Sequence, residues 1–191
     1  GETDTKTKKV FITKAKSENS NIVFADQKIK VVPLSNNNEY LKLQIFNEDH
    51  CWFKNLKLSL PGQYQIKNVA TVLQGLVLLK KEFNITDKHI ATGLGNVQKL
   101  TGFAGRWQLV SKNPTVIFDT GHNAHGLKLS MQQLKEIQKG QLHIVFGAVN
   151  DKNLDDVMKL LPKDAFYYLC APKLPRALPV DELKKLFIKQ K

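Results

Sequence analysis

The sequence predicts an α/β fold: a doubly wound, Rossmann-like parallel sheet, truncated, preceded by a small α+β unit. Three observations carry this reading. Short apolar runs alternate with helical stripes between residues 107 and 191, a long stripe with three- and four-residue spacing begins after Pro61-Gly62, and residues 1–60 hold short β-rich runs divided by polar turns.

In the first sixty residues, Val10–Thr13, Ile22–Ala25, Ile29–Leu34, Tyr40–Phe46 and Trp52–Leu60 are rich in β-branched and aromatic residues and are expected as strands. Leu41, Leu43 and Ile45 alternate with Lys42 and Gln44, as a half-buried strand requires, and Asn36-Asn37-Asn38 and Asn47-Glu48-Asp49 are the turns. Ile66, Val69, Ala70, Leu73, Leu76 and Val77 then share one face of a helix expected from Gln65 to Glu82. A shorter helix is expected from Asp87 to Leu94, capped by Thr86 and ended near Gly93 or Gly95.

Beyond residue 107, Val116–Phe118 is a short apolar strand, and Leu127, Met131, Leu134 and Ile137 form a stripe stopped by Gly140. Leu142–Val149 is the next strand, followed by a helix through Leu154, Val157, Met158 and Leu161 that Pro162 stops. Ala165–Ala171 and Val180–Ile188 complete the series. Three β-α units imply parallel strands joined by right-handed crossovers. Such sheets normally have more strands, so a truncated domain is expected.

At 191 residues, with 42% hydrophobic and 8% aromatic content, the chain is too apolar for intrinsic disorder. Its longest apolar stretch, around Leu76–Leu79, falls far short of the roughly 20 residues that cross a bilayer, and no signal peptide opens the chain. A cytoplasmic location with no membrane partner is expected. Cys51 and Cys170 cannot build a disulfide framework, and their apolar and aromatic neighbours predict burial. The net charge of +12, from 29 Lys and Arg against 17 Asp and Glu, suits a polyanion, an anionic small substrate such as a nucleotide, or simple solubility. The excess is spread along the chain, and no run of Lys and Arg carries interleaved aromatics, so nucleic acid is not an expected partner.

In an open parallel sheet, ligands bind outside the carboxyl ends of the strands. The first such loop, Asp119-Thr120-Gly121-His122-Asn123-Ala124-His125-Gly126, holds an acid, two imidazoles and an amide. An Asp at a strand end can accept from ribose hydroxyls, and an imidazole beside it can face a phosphate or acyl group; the plainer alternative is that Asp119 or Asn123 only caps the next helix. In the second loop, Asn150, Asp151 or Asn153 equally suits a cap. Lys152, in the first turn of a helix, opposes the macrodipole and is better explained by an anionic partner. Arg106, beside Gly105 at the junction of the two halves, can contact a phosphate bidentately, although a lone Arg is most often a surface residue. Gln65 and Asn68, three apart on the first helical turn, present amides suited either to a base edge or to capping. His50, His89 and His143 read as structural, and no metal-ligand spacing, phosphate-cradling glycine loop or serine-nucleophile motif is present.

Together these segments resemble the carboxyl-terminal part of the folylpolyglutamate synthase/dihydrofolate synthase family of the Mur ligase superfamily. The resemblance runs from about Leu58 to about Leu183. Leu60-Pro61-Gly62-Gln63-Tyr64-Gln65-Ile66-Lys67-Asn68 is similar to the family's Leu-x-Gly-x-x-Gln-x-x-Asn, Gly105-Arg106 to its hinge arginine, Asp119-Thr120-Gly121-His122-Asn123 to its Asp-Gly-Ala-His-Asn, and Asp151-Lys152-Asn153 to its Asp-Lys-Asp. Each motif alone is weak, whereas four in order are strong. Thr120-Gly121 and Asn153 depart from the pattern without removing a proposed contact.

The resemblance implies an ATP-dependent ligase that phosphorylates a folate or dihydropteroate carboxylate, after which L-glutamate attacks the acyl phosphate. It implies that Gln65 and Asn68 approach the adenine, Arg106 the γ-phosphate and Asp119 the ribose. His122 and Asn123 would lie near the nucleotide, with Asp151 and Lys152 lining the cleft, and Arg106, His122 and Lys152 would form the catalytic set. Family members also carry a glycine-rich phosphate loop and Mg2+ ligands, and nothing of that kind lies in residues 1–60. The expectation is therefore a fragment, inactive alone, of an enzyme that is monomeric when whole. Residues 1–103 would be the tail of the central ATP-binding domain, and residues 104–191 most of the glutamate-ligase domain. The alternatives are another Mur-family peptide ligase and a non-enzymatic basic module that binds nucleotide or nucleic acid.

Overall fold

The alternation of Leu41, Leu43 and Ile45 becomes the middle strand of a three-stranded antiparallel sheet in a computed structural model that describes residues 3–121, 123–150 and 154–189. Its strands are β1 (Ile29–Asn36), β2 (Leu41–Asn47) and β3 (His50–Leu58), in that order. Register runs from Ile29 opposite Asn47 and from Leu41 opposite Leu58. Period two puts Leu41, Leu43 and Ile45 on one face, and helix α2 (Gln65–Leu79) covers that face with Val69, Ala70 and Leu73. Leu43, Ile45 and Leu73 are fully buried there.

Helix α1 (Lys8–Ser17) replaces the strand expected at Val10–Thr13. None of its residues is buried, and Val10 is 65% exposed. A β-branched run becomes a strand only against a neighbouring strand. Here the backbone groups are satisfied locally by helical bonds instead. Ile22–Ala25 likewise joins no ladder and runs into a 3₁₀ turn at Ala25–Gln27.

Helix α2 ends at Leu79, short of the expected Glu82. Thr86 caps α3 (Asp87–Gly95) as expected, its side chain accepting from the His89 N–H while the His89 ring accepts from the Thr86 N–H. Helix α4 (Val97–Thr101) follows and stops at Gly102, whose φ of +68° suits the residue after a helix. Periodicity alone does not mark α4, which is shorter than two turns.

The segment expected to start the parallel sheet pairs differently. Val116–Phe118 lies in β5 (Thr115–Phe118), antiparallel to β4 (Gln108–Lys112). Strand β4 is short and half polar, so its sequence gives no strand signal. The chain divides into two compact units after Asp119. The hairpin stays with the first unit because Trp107, only 2% exposed, is buried in it and Asp119 is bonded to it.

The second unit contains α5 (Ala124–Ile137), β6 (His143–Phe146), α6 (Asp155–Met158), β7 (Phe166–Leu169) and α7 (Val180–Lys189). Strands β6 and β7 are parallel, with His143 opposite Phe166 and Phe146 opposite Leu169. The mixed α/β class holds, but the parallel ladder contains two of the three expected strands. Leu127, Val157, Met158 and Leu161 form the core, with Phe146, Tyr167, Leu186 and Phe187 packed against it. Strand β6 stops before Gly147, where a Cβ would stand 2.9 Å from the Cys170 carbonyl oxygen.

Both cysteines are free. Cys51 is half-buried and Cys170 exposed, which corrects the expectation of burial drawn from their neighbours in sequence. Among the described residues, no helix is long and apolar enough to cross a membrane.

Candidate functional site

The first turn of α2 and the hairpin β4–β5 bring four of the sequence-predicted residues into the first unit: Gln65, Asn68, Arg106 and Asp119. Gln65 is buried at 7% exposure, and the Asn68 Nδ2 donates to its Oε1 at 2.8 Å. The three-residue spacing that places both amides on one helical face therefore also joins them. Paired in this way, they present a fixed set of donors and acceptors.

Tyr64, the residue before α2, ties this turn to the hairpin. Its hydroxyl donates to Asp119 Oδ2 at 2.9 Å. The Trp107 backbone N–H donates to the same oxygen at 2.8 Å. Sequence reasoning missed Tyr64, because an aromatic in a turn carries no periodic signal and its partner is 55 residues away. Burial, more than any other cause, pushes the Tyr64 hydroxyl well above the ordinary tyrosine value, and the Asp119 charge and hydrogen bond add to it. The Arg106 charge and a bond with Gln65 oppose the shift. The phenol is therefore protonated at neutral pH and available as a donor.

The segment before β4 is held in an uncommon backbone. Gly105 has φ +78° and Trp107 φ +49°, a left-handed conformation that a bulky side chain rarely adopts. Three contacts hold it: Gly105 N–H to Gln108 Oε1 at 3.0 Å, Trp107 N–H to Asp119, and the indole Nε1 to Asn38 Oδ1 at 3.3 Å. Between them, the Arg106 Nη1 donates to the Gly105 carbonyl at 3.1 Å, with the guanidinium 5.5 Å from the Phe103 ring centroid. A cavity of about 220 Å³ beside Trp107 is lined by Asn38, Pro61 and Lys112 among others, and by none of the sequence-predicted residues.

In the second unit, Asn123 caps α5, its Oδ1 accepting from the Gly126 N–H at 2.7 Å. Of the two residues weighed as a cap for this helix, Asn123 takes that place, and Asp119 receives Tyr64 and Trp107. His122, Asp151 and Lys152 lie outside the described residues. His143 stacks against Phe166 and Tyr168, with ring centroids 5.3 and 5.9 Å away. Among the described residues, no three His, Cys, Asp or Glu side chains converge as a metal site would require.

The first-unit cluster thus combines paired amides, an oriented carboxylate and a guanidinium. That set can hydrogen-bond a polar ring edge and vicinal hydroxyls and can neutralise an anion.

Residues 105–191 match the family of the Mur ligase glutamate ligase domain. The dihydrofolate synthase/folylpolyglutamate synthase of Escherichia coli is 30% identical over 140 residues, which is 72% of this chain and 31% of that protein. The enzyme of the same name from Buchnera aphidicola subsp. Schizaphis graminum is 30% identical over 122 residues, 63% of this chain and 28% of the relative. The chain spans less than a third of the length of these curated relatives. Among solved structures, the folylpolyglutamate synthase of Thermotoga maritima superposes with a TM-score of 0.73 at 25% identity, covering 99% of this chain and 44% of that one. The Mycobacterium tuberculosis folylpolyglutamate synthase complexed with ADP and AMPPCP shares the fold with a TM-score of 0.76 at 20% identity, covering 97% and 41%. Residues 105–191 belong to the Mur ligase glutamate ligase domain family, in a chain whose relatives by sequence and fold are folylpolyglutamate and dihydrofolate synthases.

Proposed function

We propose that this chain belongs to an ATP-dependent amide ligase that adds L-glutamate to a folate, to dihydropteroate, or to both. The carrying observation is the cluster in which the Gln65–Asn68 amide pair is tied through Tyr64 to Asp119. The adenine nucleotides in the Mycobacterium tuberculosis complex support ATP as the ligand. On this reading, Gln65 and Asn68 take the adenine edge, Asp119 accepts from the ribose, and Arg106 faces the γ-phosphate. Asn123, whose side chain caps α5, keeps the role that the resemblance implies. His122, Asp151 and Lys152 keep the roles that the resemblance implies.

The γ-phosphoryl group passes to the substrate carboxylate, giving an acyl phosphate and ADP. The glutamate amine then attacks the acyl carbon, an amide forms, and phosphate leaves. Charge builds on phosphoryl oxygens in the first step, so a cation such as Arg106 contributes by position and field rather than by covalent chemistry. Among the described residues, no three His, Cys, Asp or Glu side chains gather as a cage for Mg2+. Residues 1–103 would then be the carboxyl-terminal part of a central ATP-binding domain and residues 104–191 the glutamate-ligase part. The enzyme is proposed to act as a cytoplasmic monomer on small-molecule substrates.

Incubating the complete gene product with ATP, a reduced folate and L-glutamate tests the reading. ADP and a folate longer by one glutamate are expected. Addition of an amino acid to a UDP-linked sugar precursor instead would assign the protein to a different Mur ligase activity.

A further inference from the structure

Two donors from different segments reach one oxygen of Asp119. The Tyr64 hydroxyl comes from the residue that opens α2, and the Trp107 N–H comes from the left-handed turn before β4. A carboxylate held from two sides loses its freedom about χ1 and χ2, so its orientation is set by the fold rather than by a ligand. Tyr64 also directly precedes Gln65, so one turn of backbone carries both the phenol and the amide pair.

Gly62 is part of the same arrangement. A Cβ there would lie 2.7 Å from Tyr64 Cε1 and 2.9 Å from Cζ, closer than carbon atoms approach. The ring therefore lies over Gly62, where an added Cβ would force it to shift, and this placement brings the hydroxyl to Asp119. The phenol is protonated through the neutral range, as tyrosine ordinarily is, so its hydroxyl donates to the carboxylate.

We propose that Tyr64 is the positioning residue of this site. It fixes the Asp119 carboxylate at a set distance from the Gln65–Asn68 pair, so that base and ribose are recognised as one rigid unit. The inference rests on the ribose role proposed for Asp119 and extends it to a phenol that acts only through that carboxylate. Its consequence is selective. Loss of the phenol should weaken recognition of the ribose hydroxyls and leave the rest of the nucleotide bound as before.

The test compares binding of ATP and of 3′-deoxy-ATP to the complete gene product and to its Tyr64→Phe, Gly62→Ala and Asp119→Ala variants, with far-UV circular dichroism to confirm folding. The complete unsubstituted protein should prefer ATP. In Tyr64→Phe, ATP affinity should fall about fivefold, the size of one ordinary net hydrogen bond, while 3′-deoxy-ATP changes by less than about twofold. Gly62→Ala, which displaces the ring without removing it, should also lose the preference and decides the matter if Tyr64→Phe does not fold. An equal loss for both nucleotides would mean a merely structural role and overturn the inference. If Asp119→Ala loses the preference while Tyr64→Phe and Gly62→Ala keep it, the positioning role fails and the ribose role stands. If Asp119→Ala keeps the preference, or if the complete unsubstituted protein binds neither nucleotide, the ribose role fails and the inference with it.

Discussion

The Tyr64 hydroxyl meets Asp119 Oδ2 at 2.9 Å, joining the start of the long helix to the end of a hairpin strand across 55 residues of sequence. Around that bond lie the residues that the proposed ligase reaction needs. Its neighbours also determine how the first unit responds to substitution.

Replacing Arg106 or Asp119 by Ala in the complete gene product should lower the rate of glutamate addition at least about tenfold, the size expected for loss of one charge-assisted contact. Steady-state rates with ATP, folate and glutamate measure it. An unchanged rate for both variants would remove these residues from the site.

Gly62→Ala should lower the stability of the first unit by about 1–3 kcal/mol, because the new Cβ forces the Tyr64 ring aside. The cost depends on the ring, so Gly62→Ala in a Tyr64→Ala background should be milder than in the unsubstituted chain. Chemical denaturation of the single and double variants gives the coupling.

Asp87 accepts from the Lys80 ammonium at 2.7 Å and from the Trp52 indole N–H at 2.9 Å. The Lys80 bond above all, followed by the Trp52 bond, holds its carboxyl below the usual aspartate value of 3.8. A lowered carboxyl pKa stabilises the fold at pH above the unfolded value, and that contribution disappears as pH falls through the lower folded value. Trp52 fluorescence should thus stay constant through pH 5 and change only below about pH 4. In Asp87→Asn this acid transition should vanish.

Tyr167 donates to the Pro162 carbonyl at 2.6 Å, and burial raises its pKa from 10 to about 12, with the Asp164 charge adding to the shift. The sign is opposite to that of Asp87. A raised tyrosine pKa contributes stability that is present below pH 10 and is lost as pH rises towards about 12. Unfolding midpoints measured across that window should fall more steeply for the unsubstituted chain than for Tyr167→Phe.

Much of the geometry around these residues was legible because it is local. Gln65 and Asn68 share a face by helical spacing alone, Thr86 caps α3 by its position before Asp87, and Gly105 marks the turn that presents Arg106. What escaped the sequence was non-local. Val10–Thr13 has strand composition but no strand beside it, so it folds as a helix. Gln108–Lys112 has little strand signal, yet pairing with Thr115–Phe118 makes it a strand.

The amino-acid order by itself thus determined the helix starts and caps, the alternation that builds β2, and the types of group available near Gln65, Arg106 and Asp119. These depend on residues a few positions apart, whose geometry the backbone period dictates. Only the tertiary structure decided which donors Asp119 would meet, that the Tyr64 ring lies over Gly62, that Cys170 is exposed, and which strands share a ladder. Burial and long-range hydrogen bonds arise when segments far apart in the chain are packed together, and no local pattern records which segments those will be.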